Sequence, residues 1–226
     1  MKIRIMHTIV IGNAKNREEF GHKFPHVDAR FLGANDPLPD TSENPVVIWD
    51  FSIDDAPERL KLYKKYEVGE CILFANLVKT GLHNLLAQYS QPEIILLAFN
   101  GLPTFFNRPL LELSTIKEYE KTLIKEILQE LKTEAEFIDD RVGMVSPRVV
   151  CMIINEAYYT LQEGTANKAD IDKGMKLGTN YPMGPFEWAE KIGIKNVYQL
   201  LTALWEDTKE ERYKICPLLK KEAQLS

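Results

Sequence analysis

The amino-acid sequence predicts two domains, a mostly parallel α/β sheet domain followed by an all-helical domain. Two observations predict this fold. Short apolar runs rich in β-branched residues alternate with helical segments as far as Ile138, which is typical of a parallel sheet covered on both faces. From Arg148 onward, apolar residues recur at helical spacing. We therefore predict domains at residues 1–140 and 141–226, with the boundary near Asp139 to Gly143.

The first elements are predicted from apolar runs and from the breakers between them. Residues 33–45 are rich in Pro, Asp and Asn, and this composition predicts a loop. The predicted elements around this loop are a strand from Ile5 to Ile11, a helix from Asn16 to Phe24, a strand from Val27 to Leu32, a strand from Pro45 to Phe51, and a charged helix from Ala56 to Glu67.

The alternation continues through the rest of the first domain. Lys117 to Leu131 has apolar residues on one helical face and charges between them, so this helix should pack on the sheet. The other predicted elements are a strand from Glu70 to Ala75, a helix from Leu77 to Gln88, a strand from Glu93 to Phe99, and a short last strand at Phe137 to Ile138.

Helices alone are predicted for the second half of the chain. Asn167 is a candidate N-cap, paired with Asp170, for the helix that carries Ile171 and Met175. That helix should stop at Gly178, and the next should begin at Gly184-Pro185, because proline fits the first helical position. The remaining predicted helices are Arg148 to Leu161, Val197 to Trp205 and Tyr213 to Lys221.

Charge and cysteine content exclude several classes of function. The formal net charge is -5 and no long basic block is present, so nucleic acid is not an expected partner. Three cysteines, Cys71, Cys151 and Cys216, lie far apart without metal-ligand spacing. We expect free thiols in a reducing, cytoplasmic compartment and no metal site. Neither a signal peptide, judged from residues 1–7, nor a membrane span is expected.

Two linked motifs carry the strongest functional information. Residues 143–148 read Gly-Met-Val-Ser-Pro-Arg and precede Asn155-Glu156-Ala157, and residues 171–188 contain Tyr-Pro-Met-Gly-Pro-Phe-Glu-Trp. Together they resemble the C-terminal domain of the 3-hydroxyacyl-CoA dehydrogenases, including the 3-hydroxybutyryl-CoA enzymes. The resemblance implies an abbreviated Rossmann-like domain for NAD and a dimerising helical domain of the 6-phosphogluconate dehydrogenase C-terminal-like type. It also implies a role in fatty-acid or butyrate metabolism.

The resemblance extends into the first domain, where the family's catalytic groups are changed. In the family, a His acts as general base, a Glu orients it, and Ser and Asn hold the substrate oxygen. The His position falls on Pro103 or Thr104, and the Glu position on Ser114 or Glu112. Asn76-Leu77-Val78 replaces the Asn-Thr-Ser turn, and Pro147 replaces the Asn. Loss of a proton acceptor alone typically costs ~10²–10⁴-fold in rate.

Candidate replacements and ligand-binding residues follow from the same comparison. Thr104, Glu112 and His83 are the candidate catalytic residues, although a single His is more often a surface or core residue. Asn76 and Lys61 are candidates for substrate binding, because the helix of Lys61 borders the CoA site in the family. A solvated helix face is the alternative interpretation of Lys61 and its neighbours Lys64 and Lys65.

The dinucleotide motif is reduced. A pyrophosphate needs Gly-x-Gly-x-x-Gly between the first strand and its helix. Residues 12–17 read Gly-Asn-Ala-Lys-Asn-Arg, with a single glycine. Gly12 and Asp36, about 20 residues beyond the turn, are the candidate cofactor residues, and a plain strand end is the simpler interpretation.

Three functional hypotheses result. The first is a 3-hydroxyacyl-CoA dehydrogenase-like protein without dehydrogenase turnover, with acyl-CoA binding retained. The second is an active NAD-dependent dehydrogenase that has recruited Thr104, Glu112 or His83. The third is a non-enzymatic interaction protein that forms a homodimer through its helical domain.

Overall fold

The computed structural model describes residues 7–40 and 45–226, which form two compact units. The first unit contains the chain as far as Gly101 together with Phe105–Met144. The second contains Leu102–Thr104 and Val145–Ser226. The predictions for Ile5, Met6 and residues 41–44 lie outside the described residues.

The first unit is built on a seven-stranded sheet with the order β2-β1-β3-β4-β5-β6-β7. Every neighbouring pair is parallel except β5 and β6, which are antiparallel. The central strands are buried along their whole length, which explains why they read as continuous apolar runs. The strands are β1 His7–Ile11, β2 Ala29–Leu32, β3 Val46–Asp50, β4 Cys71–Asn76, β5 Ile95–Phe99, β6 Leu110–Ser114 and β7 Glu134–Phe137.

Helices connect the strands of this sheet. They are α1 Ala14–Lys23, a 3₁₀ helix at Pro57–Lys65, α2 Leu82–Gln88 and α3 Glu120–Glu130. An aromatic cluster forms much of the core beneath them. Trp49 of β3 stacks on Phe74 of β4 with ring centroids 4.0 Å apart, and Phe20, Phe24 and Phe106 surround the indole. These rings bury large apolar areas, so they are a main source of this unit's stability.

Four local predictions for the first unit need correction. The helix predicted at Ala56 to Glu67 is a 3₁₀ helix, and the helix predicted at Leu77 to Gln88 begins only at Leu82. The strand at Leu110–Ser114 was not predicted, because its apolar residues were compared only with a family motif. The last strand spans Glu134–Phe137 instead of beginning at Phe137.

The second unit is helical, as predicted. Its elements are α4 Ser146–Gln162, α5 Lys168–Thr179, α6 Pro185–Ile192, α7 Ile194–Thr208, a 3₁₀ turn at Glu211–Tyr213, and α8 Pro217–Leu225. Helix α4 contacts α5, α6, α7 and α8, so it is the centre of this unit. The Asn167 N-cap is confirmed, since its side-chain oxygen accepts from the backbone N–H of Asp170 at 3.0 Å. Helix α5 ends at Thr179, one residue beyond the predicted Gly178, and its C-cap residue Asn180 has a left-handed φ of 58°.

Across the described ranges, no helix is both long and apolar enough to cross a lipid bilayer.

Candidate functional site

The strand order identifies a ligand crevice in the first unit. Strand β1 lies between β2 and β3, so the chain passes from β1 to β2 on one side and from β3 to β4 on the other side, and the strand order reverses between β1 and β3. In doubly wound sheets, ligands bind outside the carboxyl ends of the strands at such a switch point. Gly12 follows β1, Asp50 ends β3 and Asn76 ends β4, so these residues define the edge where a cofactor would lie.

A reciprocal pair of asparagines closes the turn after β1. The Asn13 side chain accepts from the backbone N–H of Asn16 at 3.0 Å, and the Asn16 side chain accepts from the backbone N–H of Asn13 at 3.0 Å. A Cβ atom built on Gly12 would lie 2.7 Å from the Asn16 Oδ1 atom. The space that the single glycine leaves is therefore filled by the protein's own side chain. Two of the backbone N–H donors at this helix start, those of Asn13 and Asn16, are therefore bound internally.

The neighbouring loop after β2 is also internally bonded. Asp36 accepts from the backbone N–H of Gly33 at 2.7 Å, so its carboxylate closes a local turn. The guanidinium of Arg17 lies 4.5 Å from the ring centroid of Phe31. Gly33, Arg17 and Phe31, but not Asp36, border a pocket of about 260 Å³, smaller than the ~300–1,000 Å³ usual for ligand pockets. The residues of this turn do not fit a dinucleotide unless the asparagine pair opens.

Asp50 at the end of β3 is the centre of a buried polar cluster. Its carboxylate pairs with Arg59 at 3.1 Å and accepts from the Tyr63 hydroxyl at 2.8 Å and from the Ser52 hydroxyl at 2.5 Å. Arg59 also donates to the backbone oxygen of Ala34. Burial, followed by the charge of Asp50, raises the pKa of Tyr63 well above its usual value. The cluster fastens the β2–β3 loop to the sheet, which is a structural role.

Asn76 bridges two segments at the end of β4. Its amide nitrogen donates to the backbone oxygen of Phe51 at 3.3 Å, and its amide oxygen accepts from the backbone N–H of Gly101 at 2.9 Å. A Cβ atom on Gly101 would lie 2.9 Å from the Asn76 Cγ atom, so this approach requires glycine. Asn76, a predicted substrate ligand, is buried and its amide is engaged within the protein.

Asp54 is a site residue that sequence reasoning missed. Its two carboxylate oxygens accept from the backbone N–H groups of Val78, Lys79 and Thr80, at 2.8 to 3.1 Å. This carboxylate therefore holds the turn that follows β4. Burial raises the pKa of Asp54 to about 6, while the backbone N–H bonds and the Lys79 charge oppose that shift.

The residues predicted to stand at the family's His and Glu positions lie, in sequence, between β5 and the end of β6. Thr104 has a left-handed φ of 76°, which is rare and strained for a β-branched residue. Pro103, beside it, has no proton to exchange. Glu112 is half-buried in β6, and its backbone oxygen accepts from the backbone N–H of Asn100 at 3.3 Å. Ser114 is buried at the end of the same strand.

His83 has a carboxylate neighbour that the sequence did not reveal. The Nδ1 atom of His83 lies 3.2 Å from the Oδ2 atom of Asp140. The same Oδ2 atom accepts from the backbone N–H of His83 at 2.7 Å, and the Oδ1 atom accepts from the backbone N–H of Leu82 at 2.7 Å. Asp140 therefore caps α2 and orients the imidazole. The imidazole is 82% exposed, whereas the Asp140 carboxylate is 10% exposed. This is the one contact in the described part of the first unit that pairs an imidazole with an acid.

The lysines of the 3₁₀ helix, Lys61, Lys64 and Lys65, contact two different parts of the first unit. The Lys61 ammonium lies 5.3 Å from the ring centroid of Tyr89, and Lys64 donates to the Ser90 hydroxyl at 3.2 Å. Lys65 instead pairs with Asp40 at 2.8 Å. Residues three apart share a face in a 3₁₀ helix, which explains why Lys61 and Lys64 lie on the same side.

Three or more potential metal ligands are not grouped anywhere in the two described ranges.

The Tyr-Pro-Met-Gly-Pro-Phe-Glu motif is explained by helix capping in the second unit. Asp172 of α5 accepts from the backbone N–H of Phe186 at 2.8 Å and of Glu187 at 3.2 Å. A Cβ atom on Gly184 would lie 2.2 Å from the Asp172 Cγ atom, so glycine is required there. Glu187 in turn accepts from the backbone N–H of Gly184 at 3.0 Å and pairs with Lys176. The motif therefore fixes the start of α6, and the carboxylates of Asp172 and Glu187 are engaged in that capping.

Comparison with known proteins agrees with the motifs. The sequence profile of the 3-hydroxyacyl-CoA dehydrogenase C-terminal domain matches residues 143–226. A 3-hydroxyadipyl-CoA dehydrogenase from Escherichia coli is 47% identical over 88 residues, which cover 39% of this chain and 18% of that protein. A probable 3-hydroxybutyryl-CoA dehydrogenase from Deinococcus radiodurans is 29% identical over 182 residues, which cover 70% of this chain and 66% of that protein. For three of the curated relatives, the match spans only 18%, 33% and 31% of the relative's own length.

Solved structures share the fold of the whole chain. FadB2 of M. tuberculosis aligns with a TM-score of 0.79 at 16% identity, over 98% of this chain and 94% of that chain. The (S)-3-hydroxybutyryl-CoA dehydrogenase of Ralstonia eutropha aligns with a TM-score of 0.74 at 19% identity, again over 98% and 94%. Residues 143–226 therefore match the C-terminal domain of the 3-hydroxyacyl-CoA dehydrogenases, and the chain shares with these solved structures the fold of a Rossmann-like sheet domain followed by a helical domain.

Proposed function

We propose that this chain is a 3-hydroxyacyl-CoA dehydrogenase-like protein that does not carry out hydride transfer. The observation that carries the proposal is the Asn13–Asn16 pair, which fills the space beside Gly12 and binds the N–H donors there. The position of the family's general base adds support, since Pro103 has no acceptor and the Thr104 hydroxyl is a weak base near neutral pH.

A spectrophotometric assay with acetoacetyl-CoA and NADH tests the proposal directly. The probable 3-hydroxybutyryl-CoA dehydrogenase of Bacillus subtilis, 42% identical over 90 residues, serves as the positive control under the same conditions. We expect turnover at least ~10²-fold below the enzyme median of ~10 s⁻¹. Turnover within that margin would overturn the proposal.

The contact between His83 and Asp140 favours one rival, an active dehydrogenase with a relocated base. The pair has the geometry of a base held by an orienting acid, at 3.2 Å. In a preparation that shows turnover, His83→Gln should then lower kcat by ~10²-fold or more. Thr104→Val and Glu112→Gln test the other two candidates in the same assay, and Asn84→Ala, beside His83, is the matched control.

Acyl-CoA binding is the ligand function that we propose to be retained. The exposed Lys61 and Lys64 pair beside Tyr89 and Ser90 supports it, because these cations share one face of the 3₁₀ helix. Calorimetric titration with acetoacetyl-CoA, with and without NAD, should give saturable heat for the acyl-CoA alone. Lys61→Gln should weaken binding, whereas Lys125→Gln should not. Equal affinities for these two variants would exclude the face as the binding site.

A homodimeric interaction role is the second candidate function. Leu177 of α5 is 77% exposed and Val149 of α4 is 54% exposed, so the helical unit presents apolar side chains that a second copy would cover. Sedimentation velocity should show a dimer that Leu177→Glu weakens, and a monomer at all concentrations would refute this role.

The three buried free cysteines support a reducing compartment such as the cytoplasm.

A further inference from the structure

A second pocket of the first unit gathers basic side chains from three segments. It has a volume of about 480 Å³ and lies among the end of α1, the β5–β6 connection and the α3–β7 turn. Its lining residues are His22, Lys23, Asn107, Arg108, Pro109, Lys132 and Thr133. Four of these are basic and none is acidic, although the whole chain carries a formal net charge of -5. We call this site the basic pocket.

Lys23 contributes a cation to the pocket, and within residues 7–40 and 45–226 no carboxylate pairs with it. Its ammonium donates to the backbone oxygen of Arg108 at 2.6 Å and lies 5.6 and 5.8 Å from the ring centroids of Phe24 and Phe106. Burial lowers the pKa of Lys23 to about 8, so the amine is still mostly protonated at neutral pH. A carbonyl and two ring faces leave most of this charge uncompensated, which favours an added anion.

Arg108 supplies a guanidinium in a defined orientation. It lies 4.3 Å from the ring centroid of Phe105, and this stacking restricts the side chain. Burial lowers the pKa of Arg108, and the charge of Glu112 acts in the opposite direction. Glu112 is therefore the acid that faces this group, and it is not among the residues that line the pocket.

Helix ends explain only some of the basic side chains in the basic pocket. His22 and Lys23 lie in the last turn of α1, where cations offset the negative end of the helix. Lys132 follows α3 with a left-handed φ of 53°, a conformation that usually belongs to Gly or Asn. Arg108 is in a loop, so no helix end accounts for it. The convergence of all four groups on one cavity requires another explanation.

We propose that the basic pocket binds a phosphate-bearing anion. Three cations and an imidazole suit a group with several negative oxygens, since Arg presents paired donors and Lys acts as a point charge. A free inorganic phosphate compound and the phosphate end of a nucleotide share this chemistry. The inference is independent of hydride transfer, because the pocket shares no lining residue with the turn after β1.

Calorimetric titrations of the whole chain at pH 7 and low ionic strength test the site. Inorganic pyrophosphate is the first probe. Coenzyme A is the second, and it is titrated into the Lys61→Gln variant so that the face of the 3₁₀ helix proposed for acyl-CoA does not contribute. We expect one molecule of probe bound per chain, with affinity reduced about tenfold or more by Arg108→Gln and by Lys132→Gln. Lys125→Gln, an exposed lysine of α3, should leave the affinity unchanged. Because Lys132 is exposed, its variant should fold even if Arg108→Gln does not.

The two probes distinguish the sources of the phosphate. Tighter binding of coenzyme A, with the same dependence on Arg108 and Lys132, identifies a nucleotide phosphate as the ligand group. Tighter binding of pyrophosphate identifies a free phosphate compound. Absence of saturable heat with both probes overturns the proposal. Equal affinity among the Arg108, Lys132 and Lys125 variants overturns it as well.

Discussion

Asp172→Ala tests whether the family's most distinctive motif is structural. The change removes the acceptor for the backbone N–H groups of Phe186 and Glu187, which donate at 2.8 and 3.2 Å. A buried donor left without a partner costs ~1–3 kcal/mol, and loss of a negative charge at a helix start costs ~0.3–1 kcal/mol. The N–H of Phe186 is buried, whereas that of Glu187 is closer to water. We therefore expect a loss of about 2–4 kcal/mol in the free energy of unfolding.

Urea unfolding followed by far-ultraviolet circular dichroism measures this loss. Asp172→Asn keeps one oxygen as an acceptor and should lose about half as much as Asp172→Ala. Asp207→Ala, an exposed acid of α7, is the control and should change stability by less than about 1 kcal/mol. Equal stability of the Asp172→Ala and Asp207→Ala variants would refute the claim that Asp172 stabilises the start of α6.

Three further predictions concern stability. Because burial raises the pKa of Asp54 to about 6, the folded chain keeps a proton that the unfolded chain releases. The free energy of unfolding, measured relative to Asp54→Asn, should therefore fall by about 2 kcal/mol from roughly pH 4.5 to 7, and a rise would contradict this. Thr104→Gly should gain about 1 kcal/mol in urea unfolding by relieving the left-handed φ of 76°, and a loss would argue against strain. Gly184→Ala should destabilise the chain, but less so in the Asp172→Gly background, because the added Cβ would lie 2.2 Å from the Asp172 Cγ atom and 2.4 Å from its Cβ atom; strict additivity would disprove these contacts.

Local patterns in the sequence predicted most elements of the fold. Apolar runs located β1, β3, β4 and β5, and helical spacing located the helical unit. The helix at 56–67 was misassigned because periodicity cannot separate a 3₁₀ helix from an α-helix, and Pro57 at its start suits both. Strand β6 was missed although Leu110, Leu111 and Leu113 form a short apolar run, because these residues were compared only with a family motif.

The polar contacts of the site were harder to predict. Asp54, Asp140 and Asp172 each accept from backbone N–H groups 14 to 58 residues away in sequence, so no spacing rule reveals them. The Asn13–Asn16 pair did leave a signal, since an asparagine followed three residues later by another polar amide is a capping pattern. The sequence predicted that the expected catalytic groups are replaced, and the structure adds the surroundings of the candidate residues, such as the contact between His83 and Asp140.

A titration of NADH fluorescence with the whole chain tests the central claim most directly. The claim is that the asparagine pair occupies the place where the pyrophosphate would bind. The account predicts no saturable change in NADH fluorescence at millimolar cofactor, while the Bacillus subtilis relative gives a clear titration. One NADH bound per chain with a micromolar dissociation constant would contradict it.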